Sequence, residues 1–85
     1  MEVAYTEKAK EDLVYWKNSG NQKIMIKISA LITAIAQSPF EGIGKPEPLK
    51  FNLSGCWSRR INQEHRIVYE VIDHKILVHS LKGHY

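Results

Sequence analysis

An 85-residue chain with 44% apolar and 25% charged residues has room for one modest core, so residues 1–85 are read as a single domain. Twelve basic against nine acidic residues give a net charge of +3 before four histidines contribute, a balance that mildly favours an anionic partner such as RNA without requiring one. The single Cys56 rules out an internal disulfide and suits a reducing cytosol. No basic-then-apolar leader follows Met1, and no apolar stretch approaches the roughly 20 residues of a bilayer span. The expectation is a soluble, cytoplasmic protein with no membrane partner.

Val3-Ala4-Tyr5 opens the chain as a short strand, and Thr6 suits a helix N-cap. Ala9, Leu13 and Trp16 then recur at helical spacing until Ser19-Gly20. Ser19 with Gln22 resembles a capping box for a second helix, whose Ile24, Ile28, Leu31 and Ile35 form one apolar stripe that ends before Pro39. Two amphipathic helices with a tight connection predict an αα-hairpin. Residues 41–50 hold two glycines and two prolines and read as an irregular loop.

Four β-type runs follow: Leu49 to Leu53, Trp57 to Ile61, His65 to Ile72 and Ile76 to Leu81. The separators Asn52-Leu53-Ser54-Gly55, Asn62-Gln63-Glu64 and Asp73-His74 are credible turns. Helices first and a strand meander second predict an α+β fold, a helical hairpin packed on one face of a mostly antiparallel twisted sheet of four to five strands. Alternation puts Ile67, Tyr69 and Val71 on the core side of the third run, with Arg66, Val68, Glu70 and Ile72 facing away. In the last run Ile76, Val78, Ser80, Lys82 and His84 share parity if no bulge intervenes.

An uncovered sheet face carrying Arg66 and His84, flanked by a proline-stiffened loop holding Glu47, suggests acid–base work on a phosphodiester. RNA is cleaved without metal when its own 2′-OH attacks the adjacent phosphorus. That reaction needs a base, an acid, and positive charge on the developing phosphorane. Glu47, His84 and Arg66 are residue types that supply those roles. Each has a plainer reading: Glu47 as solvated surface, Arg66 as a partner of Glu70, His84-Tyr85 as a tail, and Lys45, Lys50, Arg59 and Arg60 as solubilising charge. Trp16 and Trp57 read as core packing. His74, His79 and His84 recur every five residues, but in a strand His79 falls on the opposite face. With no HExxH and no cysteine cluster, no metal or other cofactor is expected.

The segment PFEGIGKPEPLKFNLSGCWSRRINQEHRIVYEV together with the terminal GHY is specific, and on it the chain resembles the YoeB/Txe family of toxins from bacterial toxin–antitoxin modules, within the RelE-like superfamily. The resemblance runs over essentially the whole chain. It implies a fold similar to microbial ribonucleases and an endoribonuclease that cuts mRNA in the ribosomal A site and so inhibits translation. It further implies Glu47 of KPEPLK as general base, His84 of the terminal HY as general acid and Arg66 of EHRIVY as the phosphate-stabilising arginine. Tyr85 would orient the substrate, and Lys50, Arg59, Lys45 and Lys82 would contact RNA. The implied partners are a YefM-like antitoxin with a segment that folds on binding, and the ribosome with its A-site mRNA; room is left for a homodimer. Lys82-Gly83 and Cys56 stand where some members carry other residues. Because the acid must be protonated while the base is ionised, the α-carboxylate of Tyr85 is expected to support His84 electrostatically. The competing reading is a non-catalytic basic module that binds the ribosome or RNA and blocks translation.

Overall fold

The computed structural model describes residues 1–83, so His84 and Tyr85 lie outside the described residues. In chain order the elements are β1 (Glu2–Tyr5), α1 (Glu7–Ser19), α2 (Gln22–Gln37), β2 (Glu47–Pro48), a 3-10 turn (Phe51–Leu53), β3 (Trp57–Arg60), β4 (Arg66–Ile72) and β5 (Lys75–Ser80). The five strands form one sheet in the order β1-β5-β4-β3-β2. All neighbours pair antiparallel except β1, which runs parallel to β5. The α+β expectation holds, with a parallel edge strand that hydrophobic patterning alone does not reveal.

The helices form where capping and periodicity place them. Thr6 Oγ1 accepts from the Ala9 amide (3.2 Å) and donates to the His79 carbonyl (3.1 Å), so the same hydroxyl starts α1 and ties it to β5. Gly20 ends the helix at φ +73°, a left-handed turn that glycine adopts without steric cost. The start of α2 corrects the expected capping box. Asn21 is the N-cap, its Oδ1 accepting from the Ile24 amide, while Ser19 Oγ donates to the Trp16 carbonyl and accepts from Asn21 N. A residue already closing one helix had its hydroxyl committed. From α2, Ile24, Ile28, Leu31 and Ile35 are buried against Ile67, Tyr69, Ile76 and Val78 of the sheet.

Two strand expectations need correction. The run Leu49 to Leu53 is no strand: Phe51 takes φ +61°, and the Leu53 and Ser54 amides donate to the Lys50 and Phe51 carbonyls, closing a 3-10 turn. Conversely, the proline-rich loop contributes a two-residue strand, β2, with Glu47 opposite Ser58 and Pro48 opposite Trp57. Proline is tolerated there because β2 is the sheet edge. The β4–β5 hairpin turns on Asp73 and His74, at φ +50° and +62°, the pair of left-handed residues that a type I′ two-residue hairpin loop requires.

A bulge alters the expected parity of β5. Tyr69 pairs with Val78 but Val68 pairs with Ser80, so His79 is the extra residue. His79 and Ser80 therefore share the face away from the helices, and Leu81 returns to the core, where it is fully buried. Beyond the strand the chain stays pinned. The Leu81 amide donates to the buried Asp12 carboxylate (2.9 Å), which also takes Lys8 Nζ (2.7 Å), and Trp16 Nε1 donates to the Leu81 carbonyl (2.9 Å). The Gly83 amide donates to His65 Nδ1 (3.1 Å), and the Arg66 amide donates to the Gly83 carbonyl (3.0 Å).

Removing Asp12 leaves the Leu81 amide buried and unpaired. Asp12→Ala is expected to lower stability by about 1–3 kcal/mol in urea unfolding and to accelerate hydrogen exchange at Leu81 more than at β4 amides.

Candidate active site

The sheet face opposite the helices is where the charged side chains gather. Glu47, Ser58, Val68 and Ser80 lie in one cross-strand row through successive pairings of β2, β3, β4 and β5. Arg60 and Arg66 form the next row on the same face. Glu47 is exposed and Arg66 half-buried. Ser58, Val68 and Ser80 are nearly inaccessible although they lie outside the apolar cluster, so the middle of this face is sheltered while its Glu47 margin meets solvent. Glu47 and Arg66 thus share one face, as the alternation argument expects. The alternative pairing of Arg66 with Glu70 does not form: Glu70 Oε1 meets His79 Nε2 at 2.6 Å instead.

Lys45 and Lys50 are exposed on the loops either side of β2, Lys45 at φ +53°. Lys82 is drawn toward α1: its ammonium lies 4.0 Å from the Tyr15 ring centroid, and its carbonyl accepts from Lys8 Nζ. The expected run of Lys82 in simple parity with Val78 fails because of the bulge at His79.

Arg59 requires the largest correction. Expected as an RNA contact, it is fully buried on the core face, opposite Ile67. Its Nε donates to the Tyr69 hydroxyl (3.1 Å), Nη1 to the Ile43 carbonyl (3.2 Å), and Nη2 to the Ser38 and Glu41 carbonyls. Tyr69 Oη passes the network on to the Pro39 carbonyl at 2.6 Å. A guanidinium in this position has no access to a phosphate. It organises the loop between α2 and β2, and the loop's glycines follow from it. A Cβ on Gly42 would come within 3.2 Å of Arg59 Nη1. One on Gly44 would meet Leu31 Cδ2 at 2.8 Å and Arg59 Cβ at 3.1 Å, at a φ of +83° that is itself unfavourable for other residues. The Gly44 carbonyl then accepts from the Arg60 amide (2.7 Å), three residues before Glu47.

One cluster escaped the sequence reading. Cys56, Glu70 and His79 bring a sulfur, a carboxylate oxygen and a ring nitrogen within 4.8 Å of one another. No spacing rule signals it, because the three residues meet only through the β3–β4 register and the β5 bulge. Burial, and secondarily the Glu70 carboxylate, push the Cys56 thiol above its ordinary value.

The profile of the family described as YoeB-like toxin of bacterial type II toxin–antitoxin systems matches residues 5–85. The chain belongs to this family. It is 52% identical to Toxin YoeB of Synechocystis over 100% of its own length and 98% of that protein's. The YoeB/ParE toxin from Agrobacterium tumefaciens superposes with a TM-score of 0.94 at 38% identity, each chain covered in full. The Staphylococcus aureus protein, solved in a YoeB–YefM complex, superposes at 0.89 with 45% identity over 100% of this chain and 98% of that one; it has also been solved as a YoeB dimer. This YoeB-like toxin is thus the toxin component of a type II toxin–antitoxin system, with a RelE-like fold.

Because several carbonyls and Tyr69 Oη depend on one guanidinium, Arg59→Ala is expected to cost about 3–5 kcal/mol in denaturant unfolding. Arg59→Lys restores little, since one ammonium cannot span the same fork. Burial raises the Tyr69 hydroxyl above 10.0, partly offset by the Arg59 hydrogen bond and charge. The neutral phenol is the form the fold favours, so this contribution is present below pH about 10 and is lost as pH rises through the folded value. Urea midpoints followed from pH 8 to 11 should fall on the alkaline side, and less steeply in Tyr69→Phe.

Proposed function

We propose that this YoeB-like toxin is a ribosome-dependent endoribonuclease that cleaves mRNA in the A site by acid–base catalysis with the RNA's own 2′-OH as nucleophile. The observation that carries the reading is the shared outer face: Glu47 in the edge row, Arg66 in the neighbouring row, and the Arg66 amide bonded to the carbonyl of Gly83, the residue before His84. In this mechanism Glu47 takes the proton of the 2′-OH as its oxygen attacks phosphorus. Arg66 stabilises the charge of the phosphorane. His84 donates a proton to the departing 5′-oxygen, leaving a 2′,3′-cyclic phosphate and a 5′-OH end. Tyr85 orients the substrate, and Lys45 and Lys50 hold flanking phosphates. Lys82 is the weakest member of the contact set, since its ammonium already faces Tyr15.

Dependence on the ribosome follows from magnitude. A chain of net charge +3 with one partly sheltered face holds flexible RNA poorly, whereas a ribosome that presents the codon in fixed geometry has already met the entropy of orientation. Control by a YefM-like antitoxin, and a capacity to dimerise, extend to this chain what has been solved for the Staphylococcus aureus protein. Residence in the cytoplasm, beside ribosomes, completes the reading; no described helix is long and apolar enough to cross a membrane.

The test is to map 5′ ends of cellular mRNA after brief induction. Glu47→Gln and His84→Gln should each reduce A-site cleavage by about 10²–10⁴-fold while ribosome binding persists. Absence of cut mRNA with the unaltered chain, alongside intact ribosome binding, would establish the non-catalytic alternative. Purified protein should cut naked mRNA only weakly; fast cleavage there would contradict ribosome dependence.

A further inference from the structure

The Cys56, Glu70 and His79 cluster lies on the same sheet face as Glu47 and Arg66, but in a different row. Cys56 precedes Trp57, which pairs with Tyr69, so Cys56 and Glu70 come next along the β3–β4 line. His79 reaches the same point because the β5 bulge turns it onto this face. That row is one pleat repeat, about 7 Å, from the Ser58–Val68 row and a further repeat from Arg66. Cys56 is half-buried as a residue and is the most buried of the three at the cluster, and the His79 and Glu70 side chains are only 35% and 26% exposed. The backbone of Cys56 is held on both sides, its amide donating to the Leu53 carbonyl and its carbonyl accepting from the Leu49 amide, both at 2.9 Å. Three donors of different chemistry are therefore carried by ordered backbone and converge on one point.

We propose that Cys56, Glu70 and His79 form a binding site for a borderline divalent transition ion of the Zn²⁺ class, with a fourth position left to water. The donor set decides the class. One thiolate, one imidazole and one carboxylate suit zinc and its neighbours, and disfavour magnesium and calcium, which take oxygen ligands. The distances are near what such an ion needs. Bonds of about 2.3 Å to sulfur and about 2.0–2.2 Å to nitrogen and oxygen put tetrahedral donors roughly 3.3–3.6 Å apart. The three atoms already lie within 4.8 Å, and the 2.6 Å His79–Glu70 contact need only open by a small rotation of the glutamate. On binding, the Cys56 thiol releases its proton to solvent and binds as thiolate. His79 binds through Nε2 with its proton on Nδ1, and Glu70 exchanges its imidazole contact for the ion. The site does not include Glu47 or Arg66, and it stands or falls separately from the ribonuclease reading.

Cobalt(II) tests this directly, because Cys56 is the only cysteine in the chain and any thiolate-to-cobalt charge-transfer band must come from it. Titration of the purified full chain with Co²⁺ is expected to give that band with one-to-one stoichiometry, and Zn²⁺ to abolish it by displacement. Cys56→Ser should remove the band, and Glu70→Gln and His79→Ala should each weaken binding by about tenfold or more. His74→Ala and Glu47→Gln should leave affinity unchanged. Circular dichroism of each metal-free variant establishes that it is folded, and the three ligand variants fail independently if one does not fold. No charge-transfer band on folded wild-type protein at stoichiometric cobalt overturns the site. So does equal affinity across the folded ligand variants.

Discussion

A buried arginine with no carboxylate partner among the described residues holds this structure in its working shape. The Arg59 guanidinium meets carbonyls of Ile43, Ser38 and Glu41 and the hydroxyl of Tyr69, and Tyr69 in turn meets the Pro39 carbonyl. Burying a full charge is costly unless its donors are matched, and here three loop carbonyls and the Tyr69 hydroxyl match them. The segment after α2 is thereby bent over the core face of the sheet, with Gly42 and Gly44 leaving room for the guanidinium and its stem. Glu47 emerges from that loop on the opposite margin, paired to Ser58. The core face and the outer face are therefore linked through one side chain: what is buried beneath the sheet determines where the edge carboxylate stands above it.

The other end of the outer face is organised from α1. Asp12 and Trp16 are helical core positions, yet their polar atoms are spent on the backbone of Leu81, and Lys8 reaches the Lys82 carbonyl. His65 and Arg66 receive Gly83 from the sheet side. Five backbone hydrogen-bonding groups between residues 81 and 83 are thus held from two directions. A chain segment past its last strand ordinarily frays; here both a helix and a strand fix it, and the residue next in sequence is His84. The proposed metal site adds a third feature to that face, since Glu70 and His79 come from β4 and β5, which carry Val68 and Ser80, and Cys56 directly precedes β3, which carries Ser58.

Much of the architecture is legible in the amino-acid sequence. Helical stripes, the Asp73-His74 turn and the core side of β4 follow from local periodicity, and local periodicity survives folding where a single face is buried. The failures have one cause each. Ser19 looked like a cap because a hydroxyl three residues before Gln22 fits the pattern, but it was already bonded to Trp16. Leu49 to Leu53 looked like a strand because apolar Leu49, Phe51 and Leu53 alternate with Lys50 and Asn52, but a left-handed Phe51 closes it into a turn. Arg59 looked like a phosphate contact because the WSRRI motif resembles a family segment with basic RNA-contacting positions. Alternation alone puts Arg59 and Arg60 on opposite faces, and only the sheet pairing says which one goes inside.

The amino-acid sequence by itself determined the α+β class, the two amphipathic helices, the family, and the residue types available for acid–base chemistry. These are properties of local pattern and of motif order, and they need no knowledge of which strand lies beside which. The tertiary structure alone decided the parallel docking of β1 on β5, the bulge at His79, the burial of Arg59 and the meeting of Cys56, Glu70 and His79. Each of those depends on register between strands distant in the chain, where a shift of one residue turns every side chain to the other face, and no local pattern encodes that choice.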